Sequence, residues 1–332
     1  LKVAILTDAW YPQVNGVVTS IYNIAKHMDD EVRIISPLDF KFNISLPTYK
    51  EIKQPIDIHR IFGIMDKFDP EYIHISTPEG MVGIAGRMYC RKRNRVFTTS
   101  YHTKIPEYMK ERFESFPISF GYMWERMAHR RSKKIFVSTN NMKDELINNG
   151  FENEILSIGR GVDFELFDGK ASNVFDGMER PILLYVGRVS IEKNLEDFLE
   201  CEVEGTKVVV GNGPTSYFDM LRSKYCSVVF TGYKFGKELA SMYASADVFV
   251  FPSYTDTFGL VLLESIASGT PIVVFDGKCE VVEHGINGLY SNKYSLKESV
   301  SKCMSYDRSV VRSSSLKWSW QNCSKKFMEE LI

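Results

Sequence analysis

The chain has 332 residues, with 41 Lys and Arg against 42 Asp and Glu and a formal net charge of −1. That length suits two domains, each able to bury its own core. The even charge argues against a general nucleic-acid binder, which carries a basic excess. The six cysteines (Cys90, Cys201, Cys226, Cys279, Cys303, Cys323) are scattered and form no Cys-x-x-Cys pair. They signal neither a disulfide framework nor a zinc site, and read as reduced thiols of a cytosolic protein. The opening LKVAILTDAW is not a signal peptide, because its apolar part is short and ends in a charged turn. The missing initiator Met points to a trimmed or processed start. No run approaches the ~18 apolar residues of a membrane span.

Short apolar runs alternate with amphipathic segments, which predicts repeated βα units on parallel sheets. In the first half, strands are expected near 3–7, 32–36, 56–61, 72–76, 96–100, 135–138 and 154–158. Helices are expected near 17–28, 80–93, 105–130 and 142–149. In the second half, strands fall near 182–187, 207–211, 228–231, 247–251 and 271–275. Helices fall near 193–200, 215–224, 236–245, 258–268 and 294–305. Between the halves, ELFDGKASNVFDGMER at 165–180 is polar, aperiodic and carries two Asp-Gly pairs. It reads as an interdomain linker. The tail WSWQNCSKKFMEELI reads as an amphipathic helix.

Several strand ends carry chemistry. In LTDAWYPQVNG at 6–16, Gly16 opens a helix, where backbone can approach a ligand and neighbouring amides can meet a phosphate. An ordinary βα turn would look the same. In FTTSYHT at 97–103, His102 follows a strand, and its ordinary pKa suits proton exchange or hydrogen bonding. GRGVD at 159–163 places Arg160 either towards a cleft or in packing. In YVGRVSIEKN at 185–194, Arg188 and Lys193 form a pair of cations able to neutralise a leaving diphosphate. A solvated basic pair is the plainer reading. KVVVGNGP at 207–214 and VVFTGY at 228–233 are further strands with glycine-bearing ends.

FPSYTDTFGLVLLESIASGTPIVV at 251–274 is the most informative run. Asp256 lies in a strand-to-helix loop, and Glu264 sits in the helix, roughly 9 Å further along. Such a loop lies at the carboxyl edge of an α/β sheet, where ligands bind. The helix start suits a phosphate. A nucleotide-sugar, with hydroxyls at both ends of a diphosphate, fits that span.

Two basic groups stand in the first half: Arg91, Lys92, Arg93 and Arg95, then Arg130, Arg131, Lys133 and Lys134. Helix-dipole placement explains them, and so would attraction to anionic lipid. Between them the apolar residues Tyr108, Met109, Phe113, Phe116, Phe120, Tyr122, Met123 and Trp124 read as core, or as a membrane or acceptor-lid surface. No Asp-x-Asp, Walker loop or Gly-x-Gly-x-x-Gly in strand–helix context is present.

The acidic-x7-acidic spacing of Asp256 and Glu264 resembles that of the family-4 retaining glycosyltransferases of the GT-B fold. So do Gly-Arg-x-x-x-x-Lys-Asn at 187–194, the Tyr-His-Thr around His102 and the Asp8-to-Gly16 loop. The resemblance runs from residue 3 to about residue 325. It implies an α/β protein of two Rossmann-like domains with parallel sheets facing across a cleft. Residues 1–165 would be the acceptor domain, joined by a terminal helix at about 318–332, and 166–317 the donor domain. LPTYKEI at 46–52 and STPEGMVGIAGR at 76–87 resemble the branch that transfers mannosyl, sulfoquinovosyl or glucosyl groups to lipids. The chain departs from the family with Asp256 in place of the usual Glu. It also lacks a Gly-Gly start in FDGKCEVVEHG at 275–285, where Glu280 could approach the donor.

By that resemblance, Asp256 meets the donor sugar, Glu264 the ribose, and Arg188 with Lys193 the diphosphate. Thr257, Phe258, Gly259, Leu260 and Val261 form the helix start beside the phosphate. Gly213, Tyr233 and Lys234 wall the base. His102 and Gly16 line the reacting centre, with His102 positioning rather than binding metal. The expected reaction is metal-independent, cofactor-free transfer of a hexose from a UDP- or GDP-sugar to a lipid or glycan acceptor. No nucleic-acid partner is expected, and the place is cytoplasmic, with peripheral association to an anionic membrane surface. The alternatives are a nucleotide-sugar epimerase or phosphorylase-like enzyme of the same fold, or an inactive nucleotide-sugar binder. A dinucleotide dehydrogenase ranks last.

Overall fold

The first apolar run folds as the strand Lys2–Leu6 (β1), with Val3 to Leu6 buried. A strand covered on both faces has no polar side, so it reads as continuous apolar sequence. The structure is a computed structural model that describes all residues except 14, 46–51, 114, 255, 257, 276 and 278, and of 111 and 112 the backbone alone. It divides into two compact units, Leu1–Arg160 with Trp320–Ile332, and Gly161–Ser319.

In the first unit, β1 leads to α1 (Gly16–Lys26), β2 (Glu31–Ile35), β3 (Asn43–Ser45), β4 (Lys53–Pro55), α2 (Ile61–Phe68) and β5 (Tyr72–Ile75). Next come α3 (Met81–Arg93), β6 (Thr98–Ser100), α4 (Ile105–Arg112), α5 (Ile118–His129), β7 (Lys134–Val137), α6 (Asn140–Asn148) and β8 (Glu154–Ser157). The main sheet is parallel, in the order β2-β1-β5-β6-β7-β8. Chain order reverses between β1 and β5, so the loops after them open a crevice at the carboxyl edge.

The second unit runs β9 (Ile182–Val186), α7 (Leu195–Leu199), β10 (Thr206–Val210), α8 (Thr215–Lys224), β11 (Val229–Gly232), α9 (Gly236–Ser245) and β12 (Val248–Phe251). It continues with α10 (Leu260–Ala267), β13 (Ile272–Val274), β14 (Gly288–Tyr290), α11 (Leu296–Cys303) and α12 (Arg308–Ser314). Its parallel sheet has the order β11-β10-β9-β12-β13-β14, with the reversal between β9 and β12. All residues of β9 and β12 are buried. The last helix, α13 (Trp320–Leu331), packs in the first unit, where Ser324 Oγ donates to the Ile24 carbonyl at 2.9 Å and Phe327 meets His74 edge-on at 4.9 Å.

Three expectations are corrected. The strand predicted near 56–61 is a 3₁₀ turn, Ile58–Arg60, running into α2. Ile61, Met65 and Phe68 bury one helical face there, and the Asp57 carboxylate accepts from the Lys41 and Phe42 amides at 3.0 and 3.2 Å. The single helix predicted over 105–130 is two helices, because Pro117 has no N–H to donate and keeps Phe116 out of helical geometry. The segment 165–180 is not a linker. Phe167 and Phe175 are buried in the second core, and the Ser172 amide donates to Ser245 Oγ at 2.9 Å. The hairpin β3–β4 and the elements β14 and α12 were not predicted.

Candidate functional site

The switch point of the second sheet brings together the two motifs that sequence placed far apart. The loop after β9 carries Arg188 and Lys193, and the loop after β12 carries Asp256. Lys193 Nζ donates to both Asp256 oxygens at 2.7 Å. The Lys193 side chain is 9% exposed and that of Asp256 24%. Burial pushes the Asp256 carboxyl up, but the Lys193 charge and hydrogen bond, with help from Ser253 and Arg188, bring it below its ordinary value. Asp256 is therefore a fixed anion. Arg188 is exposed beside it, and its carbonyl accepts from Tyr185 OH at 2.9 Å.

The β9 and β10 loops are zipped together. Gly187 N donates to Val210 O at 3.0 Å and Val189 N to Asn212 O at 2.9 Å. The approach is so close that a Cβ on Gly213 would fall 1.7 Å from the Val189 carbonyl oxygen. Gly213 thus sets the path of the loop bearing Arg188.

Glu264 lies one turn into α10, and its carboxylate accepts from Tyr243 OH at 2.9 Å. Burial pushes Glu264 up to about 7. Tyr243 has no exposed surface, so it holds Glu264 from the core side. Sequence reasoning missed Tyr243, whose only signal was its place in the apolar stripe of α9. Tyr233 is exposed and stacks on Phe235 at 5.9 Å, a flat aromatic pair beyond β11, while Lys234 pairs with Glu238.

The helix itself starts two residues later than expected. α10 begins at Leu260, after Gly259 in left-handed geometry at φ 77°, so Phe258 precedes the helix. The Phe258 ring is buried against Trp318 at 5.4 Å and belongs to the core, with Leu260 and Val261 packed partly on it. Thr257 and residues 46–51 of the LPTYKEI motif lie outside the described residues.

In the first unit, His102 follows β6 and is held at both ring nitrogens. Its Nδ1 lies 3.0 Å from Arg160 Nη2, and its Nε2 lies 2.7 Å from Ser76 Oγ. A guanidinium only donates, so Nδ1 accepts and the proton sits on Nε2, donated to Ser76. Burial first, then the Arg160 charge, push the imidazole well below its ordinary value. His102 is a neutral, oriented group and not a poised proton exchanger, which narrows the sequence expectation. Arg160 is buried and also donates to Gly159 O at 2.7 Å. Beside them lies a cavity with room for about one water, lined by His74, Ser76, His102, Ile21, Phe136 and Phe327.

Gly16 is exposed at the first residue of α1. Next to it Asn15 Oδ1 accepts from Val17 N and Val18 N, both at 3.0 Å, so those two amides of the first turn are already bonded. Asp8, at the end of β1, likewise caps α3 by accepting from Val82 N at 2.9 Å and Gly83 N at 3.2 Å. Among the described residues no group of three or more His, Cys, Asp or Glu is placed to hold a metal ion.

Comparison with known proteins fits this geometry. Residues 14–166 match Glycosyltransferase Family 4, and residues 180–305 match Glycosyl transferases group 1. A GDP-mannose-dependent alpha-mannosyltransferase of Mycobacterium tuberculosis is 27% identical over 305 residues, covering 83% of this chain and 79% of that protein. An alpha-monoglucosyldiacylglycerol synthase of Acholeplasma laidlawii is 25% identical over 345 residues, covering 88% and 85%. The crystal structure of HepE from Anabaena with UDP and glucose superposes with a TM-score of 0.75 at 16% identity, covering 99% of this chain and 98% of that one. The fold is GT-B, and the protein is a glycosyltransferase that uses a nucleotide-sugar. It belongs to glycosyltransferase family 4.

Proposed function

We propose that the protein moves a hexose from a UDP- or GDP-linked donor to a lipid or glycan acceptor, with retention of configuration and without a metal. The observation that carries this reading is the Lys193–Asp256 pair at the switch point of the second sheet, with Arg188 on the same loop as Lys193. Two cations there supply the charge that a divalent ion supplies elsewhere. An incoming diphosphate draws Lys193 towards itself, and Asp256 turns its oxygens to the sugar hydroxyls. Glu264, oriented by Tyr243, accepts from the ribose. Tyr233 and Phe235 offer a flat apolar wall to the base.

Retention fits a front-face route in which the departing phosphate takes the acceptor proton, because His102 is neutral and committed at both nitrogens. The diacylglycerol named in one relative and the mannosyl donor named in another support a lipid acceptor and a hexose donor. Peripheral membrane association belongs to the same proposal. No helix among the described residues is long and apolar enough to cross a membrane. The test is a thermal-shift screen against UDP, GDP, ADP and their hexose conjugates, followed by NMR of the product anomer. Stabilisation by one nucleotide class and a retained anomer are expected. An inverted product, or no shift with any nucleotide, contradicts the proposal.

A further inference from the structure

One covered face of the first sheet is polar. His74 and Ser76 alternate along β5 and just past it, and Thr98, Ser100 and His102 along β6 and just past it. Period-two spacing puts these five on the same face, and strand pairing sets His74 beside Thr98. His74 Nδ1 lies 2.9 Å from Thr98 Oγ1, and its Nε2 lies 2.9 Å from Ser100 Oγ. At the carboxyl edge, Ser76 and Arg160 hold His102. A face of a parallel sheet that helices cover is ordinarily apolar. Buried polar side chains cost stability unless each finds a partner, and a fully bonded network fixes one arrangement.

Two bonded groups, Thr98–His74–Ser100 and Ser76–His102–Arg160, meet at the cavity that has room for about one water. Its polar lining is His74, Ser76, Ser100, His102 and Arg160. Ser76 Oγ accepts from His102, so the Ser76 hydroxyl still has its own proton to donate. A water in the cavity takes that proton and bonds Ser100, which joins the two groups into one file. Burial first, then the Arg160 charge, push His74 down to about 3, so its ring is neutral, with one donor and one acceptor. The rest of the wall is apolar. Phe327 of α13 closes it, edge-on to His74 at 4.9 Å and to Phe136 at 5.3 Å. The same helix reaches the far end of the file. There Cys323 Sγ donates at 3.6 Å to Gly159 O, the carbonyl that Arg160 Nη1 also meets.

We propose that the last helix positions His102: Phe327 seals one ordered water between Ser76 and Ser100, and that water ties His102 to His74. Phe327, Ser100 and His74 are positioning residues that act on His102 through Ser76. This deepens the transferase reading and rests on it for its purpose, although the file itself is independent of the donor. The return of α13 to the first unit then does more than bury apolar surface. It holds one ring at the carboxyl edge in a single tautomer and orientation.

The test is proton and nitrogen-15 NMR of the histidines in the full chain, with water cross-relaxation. Beside it runs turnover of UDP-glucose and GDP-mannose with a diacylglycerol acceptor. A slowly exchanging His102 Nε2–H and a long-lived water beside Ser76 are expected. Ser100→Ala and Phe327→Leu should each speed exchange of that proton by about tenfold or more. Each should also lower kcat by about tenfold, with KM for the donor changed by less than about twofold. Ser100→Ala removes one hydroxyl and little packing, so it reads the file even if Phe327→Leu fails to fold. Leu331→Ala loosens the same helix one turn further on. It should lower the melting temperature and leave the His102 signals unchanged. No long-lived water in wild type, or His102 signals unmoved in Ser100→Ala, overturns the proposal. So does a Leu331→Ala variant that shifts those signals as far as Phe327→Leu does, because His102 then answers to helix docking at large. The expected His102 signals in a wild type that turns over neither sugar would leave the file standing and sink the donor reading instead.

Discussion

Lys193 Nζ lies 2.7 Å from both carboxylate oxygens of Asp256, across the point where strand order reverses in the second sheet. The pair couples the group that would meet phosphate to the group that would meet sugar. Asp256→Asn frees Lys193 from its anion. A nucleoside diphosphate should therefore bind Asp256→Asn as tightly as wild type or more tightly, while sugar transfer falls by about a hundredfold or more. Lys193→Met takes the main cationic partner from the carboxylate and should cost about 2 kcal/mol of stability, together with most of the diphosphate affinity. Calorimetric titration and denaturant melts measure both. Weaker diphosphate binding by Asp256→Asn contradicts the coupling.

The proton on His102 is assigned by its neighbours. Arg160 can only donate, so the Nε2–H tautomer is expected with no titration of the ring between pH 5 and 8. Nitrogen-15 NMR of the histidines reports this directly. Arg160→Met should release the constraint, with a mixture of tautomers and a rise in the ring pKa. An unchanged tautomer and pKa in that variant would show that Arg160 does not orient the ring.

Glu125 should make the protein lose stability as pH rises. Burial first, then the charges of Glu79 and Glu107, push its carboxyl up from 4.5 to about 9. Between those values the folded chain holds a proton that the unfolded chain has released, so stability declines with pH across that window. Glu125→Gln removes the decline. It should be more stable than wild type at pH 8, with the gap closing towards pH 4.5. A gap independent of pH in denaturant melts contradicts this account.

Gly213 fixes the loop that presents Arg188. A Cβ there would sit 1.7 Å from the Val189 carbonyl oxygen, so the backbone must move. Gly213→Ala should cost about 1–3 kcal/mol and weaken nucleotide binding, although it removes no ligand-contacting group. Unchanged melts and unchanged affinity would show that the loop tolerates the shift.

Much of the sheet framework was legible because buried parallel strands are continuous apolar runs, as KVAIL and ILLYV show. IDIHRIFG misled because Ile56, Ile58 and the residues after them alternate like a strand, while the helical face of Ile61, Met65 and Phe68 only becomes plain once the core is known. Pro117 was a readable break that the long apolar segment concealed. The polar segment 165–180 hid two aromatic anchors, Phe167 and Phe175, among turn residues. At the site, sequence supplied Lys193 and Asp256 as members of separate motifs. Their pairing, and the grip of Tyr243 on Glu264, depend on contacts 63 and 21 residues apart that no local pattern encodes. Arg160 was ambiguous for the same reason, since its partner His102 is 58 residues away.

The most direct test of the phosphate assignment is calorimetric titration of UDP and GDP into wild type and Arg188→Ala, each in EDTA. Undiminished wild-type binding in EDTA, and affinity at least about tenfold weaker in the variant, is the predicted result. Equal affinity in the two proteins, or binding that vanishes in EDTA and returns with manganese, would contradict a diphosphate held by arginine and lysine alone.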